Sequence, residues 1–229
     1  MKTIGLIGGM SWESTAEYYR IMNTAVKERL GGLHSARCLI HSVEFGELAG
    51  WLAQNEWDKI EAALVAAARG LETAGADFLL IATNTMHQVA GPVAASVGVP
   101  LLHIAETAAE ALLAAGLKKV GLLGTRPTME MDFYRDILAA RGLEVLIPEA
   151  GERAEMHRII FEELCRGLLS DESRRKGLAM MDRLAGRGAE GLILGCTELG
   201  LLFRPEDAGM PLFDTALIHA LAAVDNALA

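Results

Sequence analysis

Short apolar runs alternate along the chain with longer stretches in which apolar positions recur at helical spacing. Continuous apolar runs of this length are typical of buried parallel strands. Eight of them are predicted strands: Thr3–Ile7, Cys38–Val43, Phe78–Ala82, Leu101–Ile104, Val120–Leu123, Val145–Ile147, Gly191–Leu194 and Leu212–Phe213. Because strands and helices alternate, the pattern predicts an α/β fold with mostly parallel sheets.

Two intervening stretches carry clear helix signals. The stretch "NEWDKIEAALVAAARGLETAG", residues 55–75, ends in a glycine suited to close a helix. The stretch "DESRRKGLAMMDRLAGRG", residues 171–188, begins with Asp171 and Ser173, either of which is a predicted N-cap.

Four segments in the first part of the chain resemble four later segments, in the same order and at nearly the same offset. The pairs are 2–8 with 118–124, 17–22 with 132–137, 71–85 with 184–198, and 100–115 with 211–227. One such match is uninformative, because buried strands and alanine-rich helices look alike. Four collinear matches favour duplication of a half-length α/β unit.

The duplication predicts two similar α/β halves, each a parallel sheet flanked by helices and related by a pseudo-two-fold axis. We assign residues 1–99 and 211–229 to the first half and residues 100–210 to the second. Ligands of open α/β sheets bind outside the carboxyl ends of the strands. We therefore expect an active site in the cleft between the halves.

The repeat pairs Thr83 of "IATNTMH" with Cys196 of "LGCTELG", each at the end of a predicted strand. Two proton-carrying side chains on opposite sides of a cleft suit racemisation or epimerisation, in which a proton leaves one face of a carbon and another arrives on the opposite face. A thiol has a pKa near 8.5, and helix N-termini or cations lower it. A Cys196 thiolate would then serve as the base.

The composition argues against several classes of protein. The chain has 229 residues, 52% of them hydrophobic, and a formal net charge of −9, which argues against a nucleic-acid-binding surface. No apolar run is long enough to span a bilayer, and the N-terminal run is too short for a good signal core. Three widely spaced cysteines predict neither a disulfide framework nor a metal site, so we expect a cytoplasmic protein.

Several common motifs are missing. The glycines of "GLIGGM" do not fit G-x-G-x-x-G, and no phosphate-loop lysine follows. The histidines lack metal-ligand spacing, and no G-x-S-x-G elbow occurs. We therefore predict no metal and no cofactor. The plainer alternatives are that Cys196 is a small buried apolar residue and that Thr83 caps the next helix. Cys38 and Cys165 are interpreted as packing residues.

Six segments together resemble the aspartate/glutamate racemase family: "GLIGGMSWEST", "GGLHSA", "TNTMH", "PLLHIA", "LLGTRPTMEMDFY" and "GCTELGLL". The resemblance covers nearly the whole chain. It implies two α/β halves with the site between them, catalysis without pyridoxal phosphate or metal, and a homodimer. The usual proton carriers of the family are two cysteines, in "C-N-T" and "G-C-T" motifs. Cys196 matches the second, whereas Thr83 stands at the first, as in members that share "TNTMH".

The substrate is expected to be a small amino acid, aspartate or glutamate. Asn84 and Thr85 follow their strand and are predicted to open a helix, whose N-terminus favours carboxylates. Thr197 and Glu198 occupy the equivalent place in the second half. By resemblance, Met10 and Thr125 also line the pocket.

Two alternatives remain open. Arylmalonate-type decarboxylases of the same fold keep a single cysteine, as this chain does, and protonate a carbanion after carbon dioxide leaves. A non-catalytic amino-acid-binding protein that lost one proton carrier would bind the substrate without exchanging its α-proton.

Overall fold

A computed structural model describes all 229 residues, Met1 to Ala229. The chain divides into two compact units. The first unit comprises Met1–Ile104 and His219–Ala229, and the second comprises Ala105–Ile218. Each unit contains one parallel sheet with flanking helices, so the predicted fold class of two α/β halves is confirmed.

The sheet of the first unit has the strand order β2-β1-β3, all parallel. Its elements are β1 (Ile4–Gly8), α1 (Trp12–Leu30), β2 (Cys38–Ser42), α2 (Phe45–Ala53), α3 (Trp57–Thr73), β3 (Phe78–Ile81), a 3-10 helix (Thr85–Val89) and α4 (Ala90–Ala95). Strands β1 and β3 are buried along their whole length, which explains their unbroken apolar sequences.

Helix α3 shows why this sequence folds as it does. Its buried residues are spaced so that one face points into the core: Ile60, Leu64, Ala67, Ala68 and Leu71. Side chains at this spacing share one face of a helix. Burial of each leucine or isoleucine contributes roughly 1.5–3 kcal/mol. Gly75 follows the helix with a φ of 96°, a conformation that glycine adopts without strain and that turns the chain towards β3.

The sheet of the second unit has the order β5-β4-β6-β7, again all parallel. Its elements are α5 (Ile104–Ala114), β4 (Lys119–Gly124), α6 (Arg126–Glu130), α7 (Asp132–Ala140), β5 (Glu144–Leu146), α8 (Ala150–Arg158), a π-helix (Ile159–Glu163), a 3-10 turn (Leu164–Arg166), α9 (Asp171–Gly186), β6 (Gly191–Gly195), α10 (Leu199–Leu202), a 3-10 turn (Pro205–Asp207) and β7 (Leu212–Asp214). Helix α11 (Thr215–Leu228) follows and ends in the first unit.

The two sheets have the same topology. Strands β1, β2 and β3 correspond to β4, β5 and β6, and a parallel bridge between Leu79 and Leu101 takes the place that β7 has beside β6. The strand order therefore agrees with the internal repeat that the sequence predicts.

The unit boundaries differ from the predicted ones. The prediction assigned residues 100–104 to the second half and residues 211–218 to the first. Leu101 instead pairs with Leu79 of the first sheet, and β7 pairs with β6 of the second. Backbone hydrogen bonds thus keep each short strand segment with its own sheet, and the chain changes units at the helix that follows.

Two local predictions need correction. Residues 101–104 form only a bridge, because helix α5 already begins at Ile104. The N-cap of α9 is Ser170 rather than Asp171 or Ser173, since its hydroxyl accepts a hydrogen bond from the Ser173 backbone N–H. None of the helices is long and apolar enough to cross a membrane.

Candidate functional site

The carboxyl end of β3 presents Thr83. Strand pairing ends where the Ala82 N–H donates to the Ile7 carbonyl, and Ser14 Oγ donates to the Ala82 carbonyl at 3.1 Å. Thr83 is partly exposed, whereas Asn84 and Thr85 behind it are buried. Thr83 is therefore accessible at a turn whose other polar side chains are buried.

Met10 lies at the neighbouring strand end, after β1. Gly9, which precedes it, has a φ of 91°, and a Cβ there would lie 2.3 Å from the Val43 carbonyl oxygen. The Gly9 N–H donates to Thr15 Oγ1 at 2.7 Å. The glycines of "GLIGGM" thus serve a tight turn and close packing. Met10 is 4% exposed.

The equivalent strand ends of the second unit lie side by side at Gly124 and Gly195, which are paired in the sheet. A Cβ on Gly124 would lie 2.9 Å from the Gly195 carbonyl oxygen, so the two strands approach too closely for a side chain. Thr125 follows the first glycine and Cys196 the second. The sheet register therefore brings Thr125 and Cys196 to adjacent strand ends.

Thr125 is buried and caps a helix. Its Oγ1 accepts a hydrogen bond from the Thr128 backbone N–H at 3.4 Å and lies 3.1 Å from Thr128 Oγ1. Thr125 is accordingly the N-cap of α6. This use of the hydroxyl was not predicted from the sequence.

Cys196 forms a compact group with the two residues that follow it. Its Sγ donates to Glu198 Oε2 at 3.0 Å, and Thr197 Oγ1 donates to the same oxygen at 2.7 Å. Glu198 is only 4% exposed and Cys196 9% exposed, whereas Thr197 is partly exposed. The Cys196 thiol and the Thr197 hydroxyl therefore both donate to one oxygen of the Glu198 carboxylate.

This environment raises the pKa of the Cys196 thiol well above its ordinary value. Burial is the largest cause, and the adjacent Glu198 carboxylate adds to it. The sequence predicts a Cys196 thiolate, whereas this environment favours the thiol. The Glu198 carboxylate is the acceptor of the hydrogen bond that the thiol donates.

The helices that follow the two strand ends directly are short. A 3-10 helix of five residues follows Asn84, and α10 has four residues. Because so few peptide units are aligned, neither offers much helix dipole for an anion. A carboxylate at either place would be held by side chains and individual backbone N–H groups.

The comparisons with known proteins identify the family. The model of the family described as Asp/Glu/Hydantoin racemase matches residues 7–223. The chain belongs to this family. A solved protein of Yersinia pestis, provisionally assigned as an Asp/Glu racemase, is 48% identical with full coverage of both chains and a TM-score of 0.93.

Other relatives agree with this assignment. An aspartate racemase homologue from Pyrococcus horikoshii is 37% identical, with full coverage of both chains and a TM-score of 0.87. The broad-specificity amino-acid racemase RacX of Bacillus subtilis is 23% identical over 99% of this chain and 98% of its own length. These amino-acid racemases are isomerases, and the prediction of an isomerase is confirmed.

Within this racemase family, the predicted site residues of the chain fall into two groups. Met10, Thr83, Asn84 and Thr85 lie at adjoining strand ends of the first unit, and Thr125, Cys196, Thr197 and Glu198 lie at those of the second. Sequence analysis did not include His87 among the site residues. His87 contacts the Thr83 carbonyl through Nδ1 at 2.7 Å, and its position four residues after Thr83 was the available signal.

Proposed function

We propose that the chain is a cofactor-independent racemase of aspartate, glutamate or both. The observation that carries this proposal is the Cys196–Glu198 hydrogen bond at a strand end of a chain that belongs to the Asp/Glu/hydantoin racemase family. The names of the relatives support acidic amino acids as substrates, and the buried neutral donors Asn84, Thr85 and Thr125 suit carboxylates.

Cys196 and Glu198 transfer the proton on one face of the substrate α-carbon. Glu198 takes the proton of the Cys196 thiol, and the resulting thiolate takes the α-proton of one enantiomer, leaving a carbanion. The pair of Cys196 and Glu198 carries one negative charge before and after this transfer. Glu198 keeps the proton while the carbanion forms and then releases it to solvent, which balances the proton that the opposite face takes up from solvent. Positioned acid–base groups of this kind contribute roughly 10²–10⁴-fold to a rate.

Thr83 supplies the proton on the opposite face. Its hydroxyl donates to the carbanion and regains a proton from solvent. The threonine at position 83 would place the chain in the subgroup of the family that has threonine instead of the first cysteine. A hydroxyl is a much weaker acid than a thiol and a much poorer base than a thiolate, so the reaction that starts with Thr83 as base is the slower one at saturation. The equilibrium constant between enantiomers is one, so kcat and KM differ between directions while kcat/KM does not.

The test uses the purified protein in heavy water with no added cofactor. L-aspartate, D-aspartate, L-glutamate and D-glutamate are supplied separately, proton NMR follows loss of the α-proton, and chiral chromatography follows the enantiomers. The proposal predicts α-proton exchange with inversion for at least one pair.

Other outcomes assign other functions. Exchange with retention alone would show that Cys196 exchanges the proton and that Thr83 does not deliver one. Absence of exchange in all four amino acids would contradict the proposal. Carbon dioxide release from an arylmalonate would then favour a decarboxylase, and ligand binding without exchange would favour an amino-acid-binding protein.

A further inference from the structure

In the turn that carries Thr83, each of three successive backbone carbonyls accepts a hydrogen bond. Ser14 Oγ donates to Ala82 O at 3.1 Å, His87 Nδ1 to Thr83 O at 2.7 Å, and the His87 backbone N–H to Asn84 O at 3.0 Å. Two of these three donors come from His87. The backbone on both sides of the Thr83 Cα is therefore held in place.

The tautomer of His87 follows from its two contacts. The backbone N–H of Ile104 donates to His87 Nε2 at 3.2 Å, so Nε2 carries no proton. The proton of the neutral ring therefore resides on Nδ1, where it is donated to the Thr83 carbonyl. The ring is 2% exposed, and burial lowers the pKa of His87 well below its ordinary value, which keeps it neutral.

His87 belongs to a cluster of buried rings in the first unit. The ring of His103 lies 4.4 Å from it and that of His219 lies 5.9 Å from it, between centroids. His219 Nε2 lies 2.9 Å from the Leu102 carbonyl oxygen and therefore donates to it, and Nδ1 accepts from the hydroxyl of Tyr18 at 2.9 Å. In this cluster His219 bonds to the Leu102 carbonyl and Tyr18, whereas His87 bonds to the Thr83 carbonyl.

We propose that His87 is a positioning residue for Thr83, fixing the turn from which Thr83 delivers its proton. This inference rests on the proposed function. Proton transfer requires the reacting groups to be held in a narrow range of geometry, and a displacement of 1 Å costs about 100-fold in rate. Loss of the Nδ1 donor frees the Thr83 carbonyl and lets the Thr83 side chain move. If His87 only filled the core, replacing it would not slow proton delivery by Thr83 more than proton exchange by Cys196.

The test separates the two faces of the substrate. In heavy water, Cys196 alone exchanges the α-proton with retention, whereas inversion also needs Thr83. His87→Gln keeps an acceptor for the Ile104 N–H but loses the donor to Thr83. We expect inversion to fall at least 10-fold in this variant, while exchange from the enantiomer that Cys196 deprotonates stays within about 3-fold of the wild type.

Two variants control for loosening of the core. His87→Asn places an amide N–H near the former Nδ1, and we expect it to keep the ratio of inversion to exchange within about 3-fold of the wild type. His219→Gln perturbs the same cluster away from Thr83, and its ratio should match the wild type even if it unfolds more easily. An equal fall of inversion and exchange in His87→Gln, or the same fall in ratio for His219→Gln, would overturn the positioning role.

A second measurement does not depend on activity. NMR spectra of protein labelled with ¹⁵N-histidine report which ring nitrogen carries the proton, and His87 should be the Nδ1–H tautomer at pH 7. An Nε2–H tautomer overturns the inference. A wild-type protein that neither exchanges nor inverts any of the four amino acids overturns the proposed function and this inference together, whereas a racemase with an unchanged ratio in His87→Gln overturns the inference alone.

Discussion

At the scale of single residues, the proposed chemistry depends on how Cys196 loses its proton. Burial and the Glu198 carboxylate raise the pKa of the thiol, so Cys196 rests as a thiol that donates to Glu198. The carboxylate that disfavours a thiolate in the resting protein is also the nearest acceptor for the thiol proton. Glu198 thus has two effects, and they can be measured separately.

Substitution of Glu198 by glutamine should separate them. Without the negative charge the pKa of the Cys196 thiol should fall, and alkylation by iodoacetamide should begin at lower pH than in the wild type. Turnover should nevertheless fall about 10²–10⁴-fold, because the proton acceptor is gone. The exposed residue Glu206 provides a control, since Glu206→Gln makes the same charge change on the surface. An unchanged alkylation profile together with full turnover in Glu198→Gln would rule out both effects.

Substitutions at Thr83 test the opposite face. Thr83→Ala should abolish inversion while α-proton exchange from one enantiomer persists in heavy water. Thr83→Cys restores the two-cysteine pattern and should raise kcat most for the enantiomer that reacts slowly in the wild type, because a thiol is a better acid than a hydroxyl and its thiolate is a better base than a neutral hydroxyl. Steady-state kinetics from each enantiomer measure both changes. Equal inversion in Thr83→Ala and the wild type would exclude Thr83 as a proton carrier.

The sequence limits what can be predicted at this scale. The repeat and the motif identified Thr83 and Cys196 as candidates from residue type and position. The raised pKa of Cys196 could not be predicted, because it depends on burial and on the direction of the Glu198 side chain. The role of Thr125 as an N-cap likewise depends on α6 beginning at the next residue.

At the scale of elements, the close approach of β4 and β6 positions Cys196. A Cβ on Gly195 would lie 2.9 Å from the Leu123 carbonyl oxygen and 2.9 Å from Leu122 Cδ1. Gly195→Ala should therefore move the end of β6, lower the free energy of unfolding by about 1–3 kcal/mol and reduce turnover. Chemical denaturation and the racemase assay measure these effects.

Gly186 provides the matched control for that substitution. It ends helix α9, and a Cβ there would meet nothing within 4 Å. Gly186→Ala should leave turnover unchanged and keep or slightly increase stability, since alanine favours a helix over glycine by up to about 1 kcal/mol. The same response from both glycines would show that the strand contact does not position Cys196.

The buried histidines of the first unit make stability depend on pH. Burial lowers the pKa of His219 to about 3 and that of His103 to about 4, whereas the unfolded chain binds these protons near pH 6.5. Because the unfolded state then holds more protons, the stabilisation is complete above pH 6.5 and is lost as the pH falls towards 3. Each histidine contributes up to about 1.4 kcal/mol per pH unit.

Urea denaturation at a series of pH values checks this prediction. The free energy of unfolding should fall steadily between pH 6.5 and 4, and His219→Gln should reduce the slope. A wild-type slope of zero over this range would show that the histidines are not buried in their neutral form.

Apolar runs predicted the seven strands of the structure to within a residue or two. The signal is strongest for β1, β3, β4 and β6, which are buried, whereas the edge strands β2, β5 and β7 are partly exposed. Residues 101–104 were predicted as a strand but form only a bridge, because helix α5 begins at Ile104. The unit boundaries could not be predicted, because they depend on which sheet each short segment pairs with.

At the scale of the whole molecule, the chain contains two α/β units of the same topology, as the repeat and the strand order show. The equivalent strand ends of the two units carry different residues. From the resemblance to the racemase family, we propose that the chain forms a homodimer. Sedimentation equilibrium at micromolar concentration should give twice the chain mass of 24.5 kDa. A mass of one chain across the concentration range would exclude this assembly.

Loss of optical activity tests the central claim most directly. Solutions of L- and D-aspartate, and of L- and D-glutamate, are incubated separately with the wild type and with Cys196→Ala, and polarimetry follows each to completion. The account predicts that both enantiomers of at least one amino acid converge on zero rotation with the wild type, and that Cys196→Ala leaves them unchanged. Persistent rotation with the wild type, or equal decay with Cys196→Ala, would contradict it.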